Sequence, residues 1–225
     1  MNAPEWLARS RLFGAIPGPL RQAIAQEMRD ARYRAGQMIF ERGDPGNFIY
    51  LVIEGRVRLS VSTAEGRELS FAHAIAGDIF GEIAALDGSP RSAGASALTD
   101  LKLKTLGAAT LHRLIAAHPE LAKSTIEFLC GRLREVSDHL EDVALFSVEN
   151  RLARFLLHEL SVRQSGNAAR IRLGMSQGEL ALLVGASRPK VNMALATLEA
   201  FGAITRVGSE IECNVRVLQD LAESG

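Results

Sequence analysis

The apolar positions of this chain change period along its length, and each change marks a different kind of element. From Pro4 to about Ala31, the residues Trp6, Leu7, Leu12, Phe13, Ile16, Leu20, Ile24 and Met28 recur mostly at steps of three to four, interrupted at Pro17-Gly18-Pro19. That spacing lines one helix face, so two short helices are expected. From Arg34 to Thr105 the runs shorten. Residues 38–40, 48–53, 57–61 and 69–71 are rich in β-branched and aromatic side chains, and turn signals separate them at Gly43-Asp44-Pro45-Gly46, Glu54-Gly55, Ala64-Glu65-Gly66 and Ala76-Gly77-Asp78. Short strands with glycine turns predict a sandwich or roll. The helical period returns from His112 to about Ala144, where Ile126, Leu129, Leu133, Val136, Leu140 and Val143 step by 3, 4, 3, 4, 3. This is an a/d seam, flanked by Arg132, Arg134, Glu135, Asp138, Glu141 and Asp142. It predicts a parallel two-stranded coiled coil, and so a homodimer through the 126–143 helix.

A hinge is expected at Leu145 to Glu149. Leu152, Phe155, Leu156 and Leu160 then give one face of a helix ending near Ser161 to Asn167, followed by a short strand from Ile171 to Leu173. In the stretch Ser176 to Gly202, Ser176 and Glu179 have the spacing of a capping box. Leu180, Ala181 and Val184 form the buried face, and Gly185 suits a tight turn. Ser187 is placed to cap a second helix, in whose first turn Pro189 is tolerated. Val191, Leu195 and Leu198 make that helix's buried stripe, which turns Arg188, Lys190, Asn192 and Met193 outward. Two helices joined at a glycine turn, with such residues at the start of the second, suit the major groove of DNA. Arginine can make two bonds to guanine and asparagine two to adenine. Gly202 to Val217, with Ile204, Val207, Ile211 and Val215 around Gly208, reads as a β-hairpin wing whose Arg206 and Arg216 serve phosphate contact or plain surface charge.

The candidate chemistry lies in Phe80 to Ala97, FGEIAALDGSPRSAGASA. Gly81, Glu82 and a run of small apolar residues, followed by Asp87-Gly88-Ser89-Pro90 and Arg91-Ser92, predict a short helical turn and a loop whose backbone N–H groups converge on an anion. Arg91 supplies a planar guanidinium for the oxygens. Glu82 cannot ligate phosphate but can accept from a sugar hydroxyl, so the implied ligand carries phosphate and ribose.

Composition alters this picture little. With 47% hydrophobic and 23% charged residues, the 225-residue chain can bury one large or two modest cores. It has no apolar stretch long enough to cross a bilayer and no secretory pattern at its start, so no membrane partner and a cytoplasmic location are expected. Net charge is zero, and residues from Val148 onward hold nine Lys/Arg against eight Asp/Glu. Charge alone therefore does not indicate DNA. Cys130 and Cys213 have no Cys or His at ligand spacing, so neither a disulfide framework nor a metal site is expected. No acid–base or nucleophile constellation points to an enzyme.

Taken together, these strings resemble the cyclic AMP receptor protein / fumarate-nitrate regulator family of bacterial transcription regulators over nearly the whole chain. The resemblance implies an α+β chain. Its parts are a cyclic-nucleotide-binding β-roll with N-terminal helices (1–110), a long dimerisation helix and hinge (111–147) and a winged helix-turn-helix (148–225). It implies cyclic AMP or cyclic GMP as allosteric ligand, with Gly81, Glu82, Ile83, Ala84, Arg91 and Ser92 in the phosphate and ribose cassette. The nine-residue step from Glu82 to Arg91 agrees with the commonest form of that cassette. Arg132, on the turn before, reads either as a secondary site residue that reaches Glu82 or as an ordinary solvated arginine, and Val136 and Ser137 match the family's Thr-Ser pair at the base. The serine is kept and the threonine is not. One lost hydroxyl is worth about 0.5–1.5 kcal/mol, which leaves adenine or guanine preference open. The resemblance further implies a palindromic double-stranded operator, read through Ser176, Gln177, Ser187, Arg188, Pro189, Lys190, Asn192 and Met193, and RNA polymerase as a further partner. Pro189 and Met193 depart from the family's frequent glutamate and arginine, so its half-site is not carried over. The alternatives are a regulator that is ligand-independent or answers another effector, and a nucleotide-binding subunit that does not bind DNA.

Overall fold

The computed structural model describes residues 5–62, 68–162, 170–173, 175–208 and 210–223. Met1–Leu133 and Arg134–Gly225 form two compact units. The first opens with helices α1 (Glu5–Ala8) and α2 (Gly18–Glu27), whose separation follows the Pro17-Gly18-Pro19 break. The expectation of helix as far as Ala31 is corrected. Met28 is extended, and Arg29–Tyr33 is strand β1, paired antiparallel along its length with β8 (Leu101–Gly107). A partner remote in sequence supplies those hydrogen bonds, and local periodicity carries no sign of it.

The expected strands follow as β2 (Met38–Phe40), β3 (Phe48–Glu54), β4 (Val57–Ser62) and β5 (Glu68–Ala74). Beyond them come β6 (Ile79–Phe80), helix α3 (Glu82–Asp87) and β7 (Gly94–Ala97), the last within the stretch read as loop. Glycine, alanine and serine have low strand propensity, and β7 forms because β2 and β4 flank it with open hydrogen-bonding edges. The strands make two four-stranded antiparallel sheets, β1-β8-β3-β6 and β2-β7-β4-β5. Their shared core is Phe40, Tyr50, Val52, Val57, Ala74, Phe80, Ala95, Ala97, Leu101 and Leu103. The roll is the predicted one.

The helix expected from His112 to Ala144 is two, α4 (Ala108–Ala117) and α5 (Pro119–Leu145). Proline at 119 disfavours helical geometry in the residue before it, and His118 is extended. Leu111, Leu114, Leu121 and Phe128 of these helices close a second core with Leu7, Leu12, Phe13, Leu20 and Ile24.

In the second unit, α5 ends at Leu145 and α6 (Val148–Val162) begins after Phe146 and Ser147. The Ser147 Oγ accepts from Asn150 N at 3.2 Å, so the expected hinge is a short joint with its own cap. β9 (Arg170–Ile171), α7 (Gln177–Val184), α8 (Arg188–Ala200), β10 (Ile204–Val207), β11 (Glu210–Cys213) and α9 (Val215–Glu223) complete it, with a sheet in the order β10-β11-β9. The wing is shorter than expected. Asn214 starts α9, its carbonyl accepting from Leu218 N at 3.0 Å, so Val215 to Val217 are helical. The turn expected at Ala64-Glu65-Gly66 and the loop at 163–167 lie outside the described residues.

Candidate ligand site and nucleic-acid interface

β6 delivers the chain to Gly81, whose left-handed backbone (φ 74°) turns it directly into α3. A side chain there would place Cβ 2.7 Å from Arg91 Nη1, so glycine serves both the turn and the close approach. Glu82, in the first turn, is 7% exposed. Burial raises its carboxyl above the ordinary glutamate value, while its own backbone N–H and the charges of Arg132 and Arg91 pull the other way. Ala84 is buried behind it and Ile83 faces outward at 50% exposure.

Arg91 is only 4% exposed. Its Nη1 donates to Gly81 O at 2.6 Å and its Nη2 to Phe48 O at 2.8 Å, while the guanidinium carbon lies 4.2 Å from the Phe40 ring centre. Among the described residues its Nε has no hydrogen-bond partner. Tyr50, stacked on Phe80 at 5.0 Å, forms the other side of this bed. Burial and the neighbouring Tyr33 raise the Tyr50 hydroxyl above its ordinary value, opposed by Arg91. Burial also lowers the Arg91 guanidinium below its ordinary value, against Tyr50, Asp44 and Glu82.

The loop before Arg91 differs from the expected anion nest. Gly88 N donates to Ala84 O at 3.1 Å, Ser89 N to Asp87 Oδ1 at 2.8 Å and Arg91 N to Asp44 O at 2.8 Å. Those amides hold the loop itself. Ser92 is exposed at its end. Arg132 Nη2 donates to Ile79 O at 2.9 Å, one residue before Phe80. The structure thus gathers Gly81, Glu82, Ala84, Arg91 and Arg132 in the first unit. Val136 and Ser137, both exposed, belong to the second-unit part of α5. Sequence reading missed Phe40, Tyr50 and Phe80. They come from β2, β3 and β6, and no spacing in the chain brings them together.

In the second unit the capping box is made reciprocally, Ser176 N donating to Glu179 Oε2 at 2.7 Å and Glu179 N to Ser176 Oγ at 3.2 Å. Gly185 has φ 67°, and its carbonyl accepts from Arg151 Nη1 at 3.2 Å. Ser187 holds the cap position of α8, yet its side chain makes no cap hydrogen bond, which corrects that expectation. Val191, Ala194, Leu195 and Leu198 are buried. Ser187, Arg188, Pro189, Lys190, Asn192 and Met193 are exposed, as is Ser176, while Gln177 is half-buried. Arg206 is held by Glu199, Nε to Oε1 at 2.9 Å, and this pairing keeps the Glu199 carboxyl below its ordinary value.

Residues 31–118 match the family described as cyclic nucleotide-binding domain, and residues 150–224 the Crp-like helix-turn-helix domain. A CRP-like cAMP-activated global transcriptional regulator from Mycobacterium tuberculosis is 31% identical over 210 residues, 92% of this chain and 93% of that protein. The cyclic AMP receptor protein of Thermus thermophilus is 36% identical over 173 residues, 76% of this chain and 77% of its own. Among solved structures, FixK2 from Bradyrhizobium japonicum superposes with a TM-score of 0.77 at 24% identity, covering 88% of this chain and 98% of that one, a likeness of fold.

Proposed function

Because this chain belongs to the cyclic AMP receptor protein / fumarate-nitrate regulator family, whose members are DNA-binding transcription regulators and not enzymes, we propose that it is a homodimer whose operator binding is controlled by a cyclic nucleotide. Cyclic AMP is the first candidate and cyclic GMP the second, since the relatives named above are cAMP-activated or cyclic AMP receptors.

The observation that carries this reading is the buried pair Glu82 and Arg91 at the start of α3. Two opposite charges taken out of water are costly unless each has a partner, and a phosphate-bearing ribose offers one to both. The residues fit such a ligand. Arg91 supplies a guanidinium charge for an anionic oxygen beside its bonds to Gly81 O and Phe48 O. Glu82 offers an acceptor for a ribose hydroxyl, and the charges of Arg132 and Arg91 oppose the rise that burial causes in its carboxyl. Ser92 adds an exposed hydroxyl for the phosphate. Bound, the nucleotide supplies the anion that competes with the Gly81 and Phe48 carbonyls for Arg91. The domain reading remains a β-roll over 1–110, a dimerisation helix and hinge over 111–147 and the DNA-binding domain over 148–225.

The same geometry favours a second reading. Arg91 is already bonded to two backbone carbonyls, an arrangement that suits a regulator active without nucleotide or answering another effector. Calorimetric titration of the purified protein with cyclic AMP and with cyclic GMP separates the two, using wild type, Ser92→Ala and Glu82→Gln, each checked by thermal melting. Saturable heat that Glu82→Gln abolishes in a folded protein supports the nucleotide reading. No heat from either nucleotide overturns it.

A further inference from the structure

Helix α8 turns an apolar strip toward solvent. At 3.6 residues per turn, the side opposite Val191, Ala194, Leu195 and Leu198 carries Pro189, Met193 and Ala196. All three are exposed, Met193 by 69%. The polar side chains border this strip without occupying its centre, Arg188 and Asn192 along one edge and Lys190 and Thr197 along the other. The Thr197 hydroxyl donates to Met193 O at 3.0 Å, which turns its polar end back onto the helix.

A single exposed apolar residue needs no explanation. Three on one line, centred on the face that meets DNA and bracketed by two cations and an amide, do. In the major groove, base edges offer hydrogen-bonding groups and one kind of apolar group, the C5-methyl of thymine. The flanking Arg188 and Lys190 match the phosphates and guanine edges on either side of such a methyl, and Asn192 matches adenine.

We infer that Met193, seated between Pro189 and Ala196, is a specificity-determining residue that reads thymine methyls in the operator half-site. The inference rests on the DNA-binding reading above. It makes the half-site of this protein one with thymine at the base pair facing Met193, where an arginine at the same place would favour guanine.

The test starts with the full-length protein, with and without cyclic nucleotide, selecting from a randomised duplex pool. The enriched duplex is then synthesised with deoxyuridine replacing thymidine one position at a time, which removes only the methyl. Wild type, Met193→Ala and Met193→Arg are titrated against each duplex. One replacement per half-site is expected to weaken wild type about fourfold and to leave Met193→Ala unchanged, while Met193→Arg selects guanine there. Wild type that binds uracil and thymine duplexes equally at every position overturns the inference with DNA binding intact, and leaves the strip to a protein partner. A uracil penalty that survives in Met193→Ala overturns it as well. Failure to enrich any sequence overturns the DNA-binding reading, and this inference falls with it.

Discussion

At the scale of single residues, the buried charged side chains among the described residues are Glu82 and Arg91. Arg91 donates to Gly81 O and Phe48 O from a position 4% exposed, so Arg91→Leu removes structure as well as a ligand group. It is expected to lower stability by about 2–3 kcal/mol, as for hydrogen bonds from a charged donor. Ser92→Ala, at an exposed position, is expected to stay within about 0.5 kcal/mol of wild type. Denaturant midpoints check both, and equal midpoints for Arg91→Leu and wild type would show that the guanidinium is not a structural tie. Glu82 gives a pH signature of definite sign. Burial raises its carboxyl above 4.5, so between the two values the folded chain holds a proton that the unfolded chain has released. Stability therefore falls as pH rises through that window. Glu82→Gln should flatten the profile there and be no less stable above it. An unchanged slope in the variant places the titration on another group.

At the scale of elements, helix starts are held by different devices, and their losses should differ. The reciprocal bonds of Ser176 and Glu179 start α7, so Ser176→Ala is expected to cost about 1 kcal/mol. Ser187 makes no such bond at α8, and Ser187→Ala should cost less; thermal melting of the two variants compares them, and equal losses would contradict this difference. α3 depends on the left-handed Gly81, so Gly81→Ala adds about 1–2 kcal/mol of backbone strain besides crowding the Arg91 guanidinium. The junction of α5 and α6 has its own tie: Arg154 Nη1 meets Asp142 Oδ1 at 2.8 Å, its Nε donates to Ala222 O at 3.1 Å and its guanidinium lies over Phe146 at 3.8 Å. One side chain thus links the end of α5 to α6 and α9, within the second unit.

At the scale of the whole molecule, a single copy leaves the middle of α5 uncovered. From Leu133 to Glu141 every described side chain on it is exposed, Leu133 and Leu140 by 67% each and Val136 by 63%. Isolated helices are marginal in water, and an a/d seam at this spacing suits a second copy of the chain. Leu133→Lys together with Leu140→Lys is expected to halve the mass seen by sedimentation, and a variant that keeps the wild-type mass places the interface elsewhere. If nucleotide and operator are coupled through that dimer, each tightens the other by the same factor, roughly 5- to 150-fold. Nucleotide affinity that does not change with operator present would remove the switch.

Much of this protein is legible in the order of its residues, because the signals are local. The heptad steps, the Ser176 and Glu179 capping box, the Gly185 turn and the spacing of Glu82 to Arg91 each lie within a few turns of chain, where helix geometry and turn chemistry act directly. The chain alone also indicates the family, through strings that keep their spacing. Tertiary structure decided what depends on remote partners. β1 is a strand because β8 offers an edge, and β7 because β2 and β4 flank it. It also decided where the guanidinium of Arg91 goes. The aromatic bed of Phe40, Tyr50 and Phe80 comes from three strands, and the acceptors of that guanidinium are Gly81 O and Phe48 O. Burial of a charge is a property of the packed molecule, since only neighbours brought in from elsewhere in the chain can exclude water from it.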